Sequence, residues 1–89
     1  MVSADLGKVL PKRLRAAGVK ASERAVTMGK AEKVLVANDA ENRVLVNLLK
    51  LCDDAKVPVE HVDSMKRLGE LAGLRVGAAA CAIFKETTE

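Results

Sequence analysis

Val34-Leu35-Val36-Ala37, closed by Asn38-Asp39, is the stretch on which the fold turns. The four apolar residues are too few for a buried helix, and they show no polar alternation. They predict a strand covered on both faces, as in a sheet with helices above and below it. Directly afterwards the period changes. Val44, Leu45, Leu48, Leu49 and Cys52 recur on one helical face over residues 43–54, with Asn47, Lys50, Asp53 and Asp54 turned away. Asp39 to Asn42 offers polar residues to cap that helix.

Moving outward towards the C-terminus, Val57-Pro58-Val59-Glu60-His61-Val62 reads as a second short strand. Pro58 must start it or lie on an edge, because proline donates no ladder hydrogen bond. Asp63-Ser64 is a cap for a helix carrying Met65, Leu68, Leu71 and Ala72 inward, and Gly73 falls where a left-handed helix end belongs. Ala78 to Phe84 is a last strand whose small side chains let a helix pack closely on the sheet. Towards the N-terminus, Ala4–Leu10 reads as a helix stopped by Pro11, and Lys12–Ala17 as a weak first strand broken at Gly18. Ser22–Met28 reads as a helix with Ala25, Val26 and Met28 inward, ended at Gly29. Strands alternating with helices imply an α/β layered sandwich with some parallel pairing. No internal repeat or linker interrupts residues 1–89, so one domain is expected, with residues 1–11 a loosely ordered N-terminal helix.

The composition narrows the function classes. Apolar residues make up 49% and charged residues 30% of the 89 residues, which is globular rather than disordered. No stretch of about 18 residues lacks charge, and the N-terminus has no apolar signal core, so neither a membrane partner nor secretion is expected. Cys52 and Cys81 form neither a disulfide framework nor a metal cluster, which suggests buried, reduced thiols and a cytoplasmic protein. There is no Trp or Tyr and a single Phe, Phe84. Modules that stack bases on aromatic platforms are therefore disfavoured. One histidine, His61, leaves little material for a zinc site or acid–base catalysis. Asp53-Asp54 and Asp63 close one helix and open another without metal-ligand spacing. With no glycine-rich phosphate loop either, the chain does not read as an enzyme, and no cofactor, metal or small-molecule substrate is expected.

Charge is unevenly spread. Residues 1–33 carry Lys8, Lys12, Arg13, Arg15, Lys20, Arg24, Lys30 and Lys33 against Asp5, Glu23 and Glu32, a net +5, whereas residues 34–89 are net −2. A basic third on a near-neutral remainder suggests an anionic partner, most often nucleic acid.

An ordered set of short segments resembles a known family. Gly18-Val19-Lys20-Ala21-Ser22-Glu23-Arg24-Ala25, then Gly29-Lys30-Ala31, then Ala37-Asn38-Asp39-Ala40 are similar to the ribosomal L-seven-Ae / L-thirty-e family. Val57-Pro58-Val59, Ser64-Met65-Lys66, Leu68-Gly69 and Gly73-Leu74-Arg75-Val76-Gly77-Ala78-Ala79-Ala80 continue the match, which covers about residues 12–85 and is nearest the short bacterial members. The resemblance implies a three-layer α-β-α sandwich with a mixed four-stranded sheet. It also implies binding of kink-turn RNA, a bent duplex with a three-nucleotide bulge beside sheared G·A pairs, in a ribosomal or other ribonucleoprotein setting and as a monomer.

The family's RNA contacts carry over onto two segments. Gly18 opens the loop-and-helix motif, where a glycine lets backbone approach RNA closely. The helix beginning near Val19 would present free amides to phosphate or base edges. Lys20 stands at the family's amide position and Arg24 at its closing basic position, four residues apart on one helical face. The resemblance gives Lys20 a guanine edge and Arg24 phosphates or a guanine edge. Ala21 departs from the family, which has Glu or Gln there to recognise a guanine. Leu74, Arg75, Val76, Gly77 and Ala78 form the second segment, with Leu74 and Val76 placed on an extruded nucleotide. Lys30 and Lys33 flank a turn and are candidate phosphate contacts. The rival reading is a protein-interaction module of the same fold with weak RNA binding; Ala21 favours it and the basic N-terminal third disfavours it.

Overall fold

The computed structural model describes residues 15–85. Their elements run β1 (Arg15–Ala17), α1 (Val19–Thr27), β2 (Ala31–Ala37), α2 (Asn42–Ala55), β3 (Val59–Val62), α3 (Met65–Leu71) and β4 (Ala80–Phe84). The Ala4–Leu10 helix and the beginning of the first strand expected from sequence lie outside the described residues.

The four strands form one mixed sheet in the order β1-β4-β2-β3. β4 pairs antiparallel with both β1 and β2, and β2 pairs parallel with β3 across α2. The run Val34–Ala37 is thus in an inner strand, and all four residues are at most 2% exposed. Alternation along β2 turns Val34 and Val36 to one face and Leu35 and Ala37 to the other. Leu35 shares a recess with Arg67 and Leu71 of α3, whereas Ala16 and Phe84 share one with Ala21, Arg24 and Ala25 of α1. The helices therefore cover opposite faces, with α2 lying beside α1. β3 is an edge strand, so Pro58 is tolerated: the ladder uses only its carbonyl, which accepts from the Val34 N–H (3.0 Å).

Leu35, Leu48 and Leu68 are the largest fully buried side chains. Burying each is worth about 1.5–3 kcal/mol. Cys52 and Cys81 are unpaired and buried among them. Burial pushes both thiols up, that of Cys81 to about 11, with Arg15 and the Ala16 backbone pulling the other way.

Several expectations are corrected. α1 begins at Val19, not Ser22, because Ser22 is tied into its first turn. α2 buries Leu45, Leu48 and Cys52, but Val44 and Leu49 are exposed, since α1 contacts only a narrow stripe of it. No side chain from Asp39 to Asn42 caps α2. Its N-cap is Glu41, whose carboxylate pairs with Arg43 (2.9 Å). Met28 and Met65 are exposed, at 55% and 36%, and do not belong to the core. Met28 follows the last residue of α1, and Met65 is the first residue of α3, where no element covers it. The last strand begins at Ala80: the Ala78 N–H donates to the Met65 carbonyl (3.0 Å), which draws the chain towards α3, although the Ala79 carbonyl still accepts from the Ala37 N–H of β2 (3.0 Å).

Candidate functional site

Strand directions decide which loops meet. β1, β2 and β3 end, and β4 begins, at one end of the sheet. The turn into α1 and the loop before β4 are therefore neighbours. The Gly18 N–H donates to the Ala80 carbonyl (2.8 Å), which ties the turn to the first residue of β4, two residues past that loop.

Gly18 has φ 99 and ψ 157. That region is essentially reserved for glycine, and a side chain there would be strained although nothing lies within 4 Å of it. Ser22, fully buried, locks the turn: its hydroxyl donates to the Gly18 carbonyl (2.7 Å), with the Ala16 carbonyl at 3.3 Å as a second acceptor. No side chain caps α1, and no acidic residue lies in its first turn. The amides at the start of the helix are left with their positive end open to an anion. Lys20 and Arg24 are both exposed on this helix and make no ion pair among the described residues. Val19 is half-buried against the core, so it anchors the helix more than it reaches outward. Ala21 is half-buried on the flank towards Arg24.

The second segment is held by α3. The Leu74 N–H donates to the Gly69 carbonyl (2.8 Å), and Ala78 is bound to Met65 as described. Gly69 is buried inside a seven-residue helix, where glycine is disfavoured. Its reason is close approach: a methyl group there would overlap the Val76 carbonyl oxygen and come within 3.0 Å of the Gly77 Cα. Gly77 lies less tightly on Met65, whose Cβ would be 3.1 Å from an added methyl. With its backbone pinned, the loop turns Leu74 (37%), Arg75 and Val76 (70%) outward, whereas Ala78 is buried.

Sequence reasoning missed two contributors. Met65 is exposed beside Gly77 and extends the aliphatic surface of Leu74 and Val76. Asp39 accepts from the Met65 N–H (2.8 Å), while the Asn38 N–H donates to the Val62 carbonyl (2.8 Å), so the loop after β2 frames the same end. The usable signal was the polar run Asn38-Asp39 directly after a buried strand. Lys30 and Lys33 are not brought there. They lie towards the other end of β2: Lys30 pairs with Lys85, five residues along β4 from Ala80, roughly 16 Å away at ~3.3 Å per strand residue. Lys33 pairs with Glu60 of β3 (3.3 Å). Among the described residues no three His, Cys, Asp or Glu side chains gather to hold a metal ion, and no helix is long and apolar enough to cross a membrane.

The site thus joins an uncapped helix that carries Lys20 in its first turn and Arg24 in its last to an aliphatic loop on the same rim of an α-β-α sheet. The chain belongs to the ribosomal protein L7Ae/L30e/S12e/Gadd45 family, whose model matches residues 2–89. It is 42% identical over 78 residues to an RNA-binding protein of Geobacillus sp. (strain WCH70), covering 88% of this chain and 95% of that protein. It is 43% identical over 68 residues to the RNA-binding protein YbxF of Geobacillus stearothermophilus, covering 76% of this chain and 83% of that one. Among solved structures, the Giardia lamblia 15.5kD RNA binding protein superposes with a TM-score of 0.77 at 28% identity, covering 83% of this chain and 62% of that chain.

Proposed function

We propose that this protein is a non-enzymatic RNA-binding protein that recognises a kink-turn or kink-turn-like bulged RNA by shape. The observation that carries the reading is the Gly18–Ala80 hydrogen bond, because it lets the α1 start and the Leu74–Ala78 loop touch one ligand. In this mechanism the first turn of α1 enters the major groove opened by the G·A pairs. Lys20 donates to a guanine edge and Arg24 to phosphates. Leu74, Val76 and Met65 cover an extruded nucleotide. That apolar contact suits a chain without Trp or Tyr. Binding favours the bent RNA because only that form presents groove and bulge together. We place this activity in the cytoplasm, by a monomer acting on ribosomal or other ribonucleoprotein RNA. The homologues named RNA-binding proteins and the pair of buried, unpaired cysteines support it.

The test is a gel-shift titration with a kink-turn duplex and with the same duplex after its G·A pairs are replaced by Watson–Crick pairs. A large loss on replacement is expected. Equal affinity for both, falling steeply with salt, would mean non-specific charge binding and overturn the reading. Replacing Lys20 and Arg24 together by alanine should weaken the kink-turn complex several-fold or more. A double variant that binds like the parent would remove these two from the interface.

A further inference from the structure

The flank of α1 carries a feature that the kink contacts use only at one end, at Ala21 and Arg24. A recess of about 240 Å³ runs along the flank of this helix, floored by Ala16, Ala21, Ala25 and Phe84 and rimmed by Arg24 and Lys30. We propose that it seats the sugar–phosphate backbone of an RNA stem leaving the kink on the α1 side, with Lys30 as the far phosphate contact. This rests on the RNA-binding reading above and extends it to the length of RNA the protein grips.

Three observations support that occupant. First, the lining has two cations and no carboxylate, and neither Arg24 nor Lys30 makes an ion pair among the described residues. The recess on the opposite face is the reverse. It contains Glu60 and Asp63, and its one Arg or Lys, Arg67, already pairs with Glu70 (3.5 Å). Of the two, only the α1 recess attracts an anion. Second, the recess is continuous with the kink site. Ala21 and Arg24 belong to both, and Ala21, Arg24 and Met28 succeed one another on one helical flank. Alanine at position 21 leaves the upper end of that flank without a polar side chain. Third, the span matches an extended polymer better than a small ligand. Lys30 pairs with Lys85, five residues along β4 from the partner of Gly18, so it lies roughly 16 Å from the Gly18 end at ~3.3 Å per residue, a span that takes more than one nucleotide. The recess is open along one side, and its apolar floor suits ribose carbons between phosphates held at the rim.

The experiment compares kink-turn RNAs whose two stems are shortened separately, from about ten base pairs to about three, with the parent protein, Lys30→Ala and Met28→Lys. The parent should bind several-fold tighter when one particular stem is long. Lys30→Ala should abolish that increment, lower the salt slope by about one for the long-stem RNA, and keep the discrimination against the duplex without G·A pairs. Met28→Lys adds a cation at the rim and should strengthen binding of the long-stem RNA alone. Affinity independent of both stem lengths, or Lys30→Ala weakening long and short RNAs equally, overturns the proposal while leaving the kink reading intact. Loss of G·A discrimination by the parent overturns the kink reading itself. Micromolar binding of a free mononucleotide, abolished by Lys30→Ala, would make the recess a small-molecule site instead and also overturn the proposal.

Discussion

Three helices start at the same rim of the sheet, and two of them, α1 and α3, are finished in opposite ways. The start of α3 is doubly satisfied: the Ser64 hydroxyl accepts from the Arg67 N–H (3.1 Å), and Asp39 accepts from the Met65 N–H (2.8 Å). The start of α1 has only Gly18, with no side-chain cap and no acid in its first turn. A cap exchanges binding capacity for stability, since each orphan amide either bonds within the protein or is left for a ligand. α3 is framework, and its closed end holds the Leu74–Ala78 loop. α1 is left open, as α2 is, but only the start of α1 follows the turn that bonds to the first residue of β4. The turn before it is held from behind, by Ser22 and the Ala80 carbonyl, without using those amides.

The contrast can be broken at the framework first. Gly69→Ala should have the largest effect, a loss of about 2–3 kcal/mol in urea unfolding, because the methyl group meets backbone that cannot step aside. The displaced loop should also lower G·A discrimination in the protein that still folds. An unfolding midpoint like the parent's would show that the loop is not seated on α3. Ser64→Ala should lose about 1 kcal/mol in thermal unfolding and leave RNA affinity unchanged; weakened binding by folded protein would make the capped end part of the interface. Val76→Ser sharpens the comparison from the other side. At 70% exposure its stability should stay within ~0.5 kcal/mol of the parent, while kink-turn binding weakens several-fold in a filter assay.

The smallest effect, absent at neutral pH, belongs to the ionisation of Cys81. This residue lies in the strand behind both segments, paired in register with Ala17 and with Leu35. Its thiol is pushed up to about 11 by burial, from an ordinary 9.0. Between those values the unfolded chain gives up the proton and the native chain keeps it, so stability is complete below about pH 9 and declines as pH rises towards 11. Thermal midpoints measured from pH 8 to 11 should fall, and Cys81→Ala should reduce the slope. An unchanged slope would show that this thiol does not report on the strand.

Periodicity made much of the fold legible. The short β-branched run and the switch to helical spacing placed β2, α2, β3 and α3 within a few residues. Spacing did not say which apolar residues would be covered. Met65 and Leu68 have the same character and belong to the same helix, yet only Leu68 faces the sheet; Val44, Leu49 and Met28 misled for the same reason. The candidate site was legible as two segments, through the glycine-led turn and the aliphatic loop. Lys30 and Lys33 read in the sequence as candidate phosphate contacts beside a turn; only the sheet shows that β2 carries them away from the rim where the two segments meet.

Element types and their order were already written in residues 15–85, because the alternation of polar and apolar side chains is a local property that needs no partner to be read. Which helix start would be closed and which left open was not. That outcome depends on Asp39 reaching Met65, Gly69 admitting Val76 and Gly18 bonding to Ala80, contacts between residues far apart along the chain that exist only once the sheet has brought them to one rim.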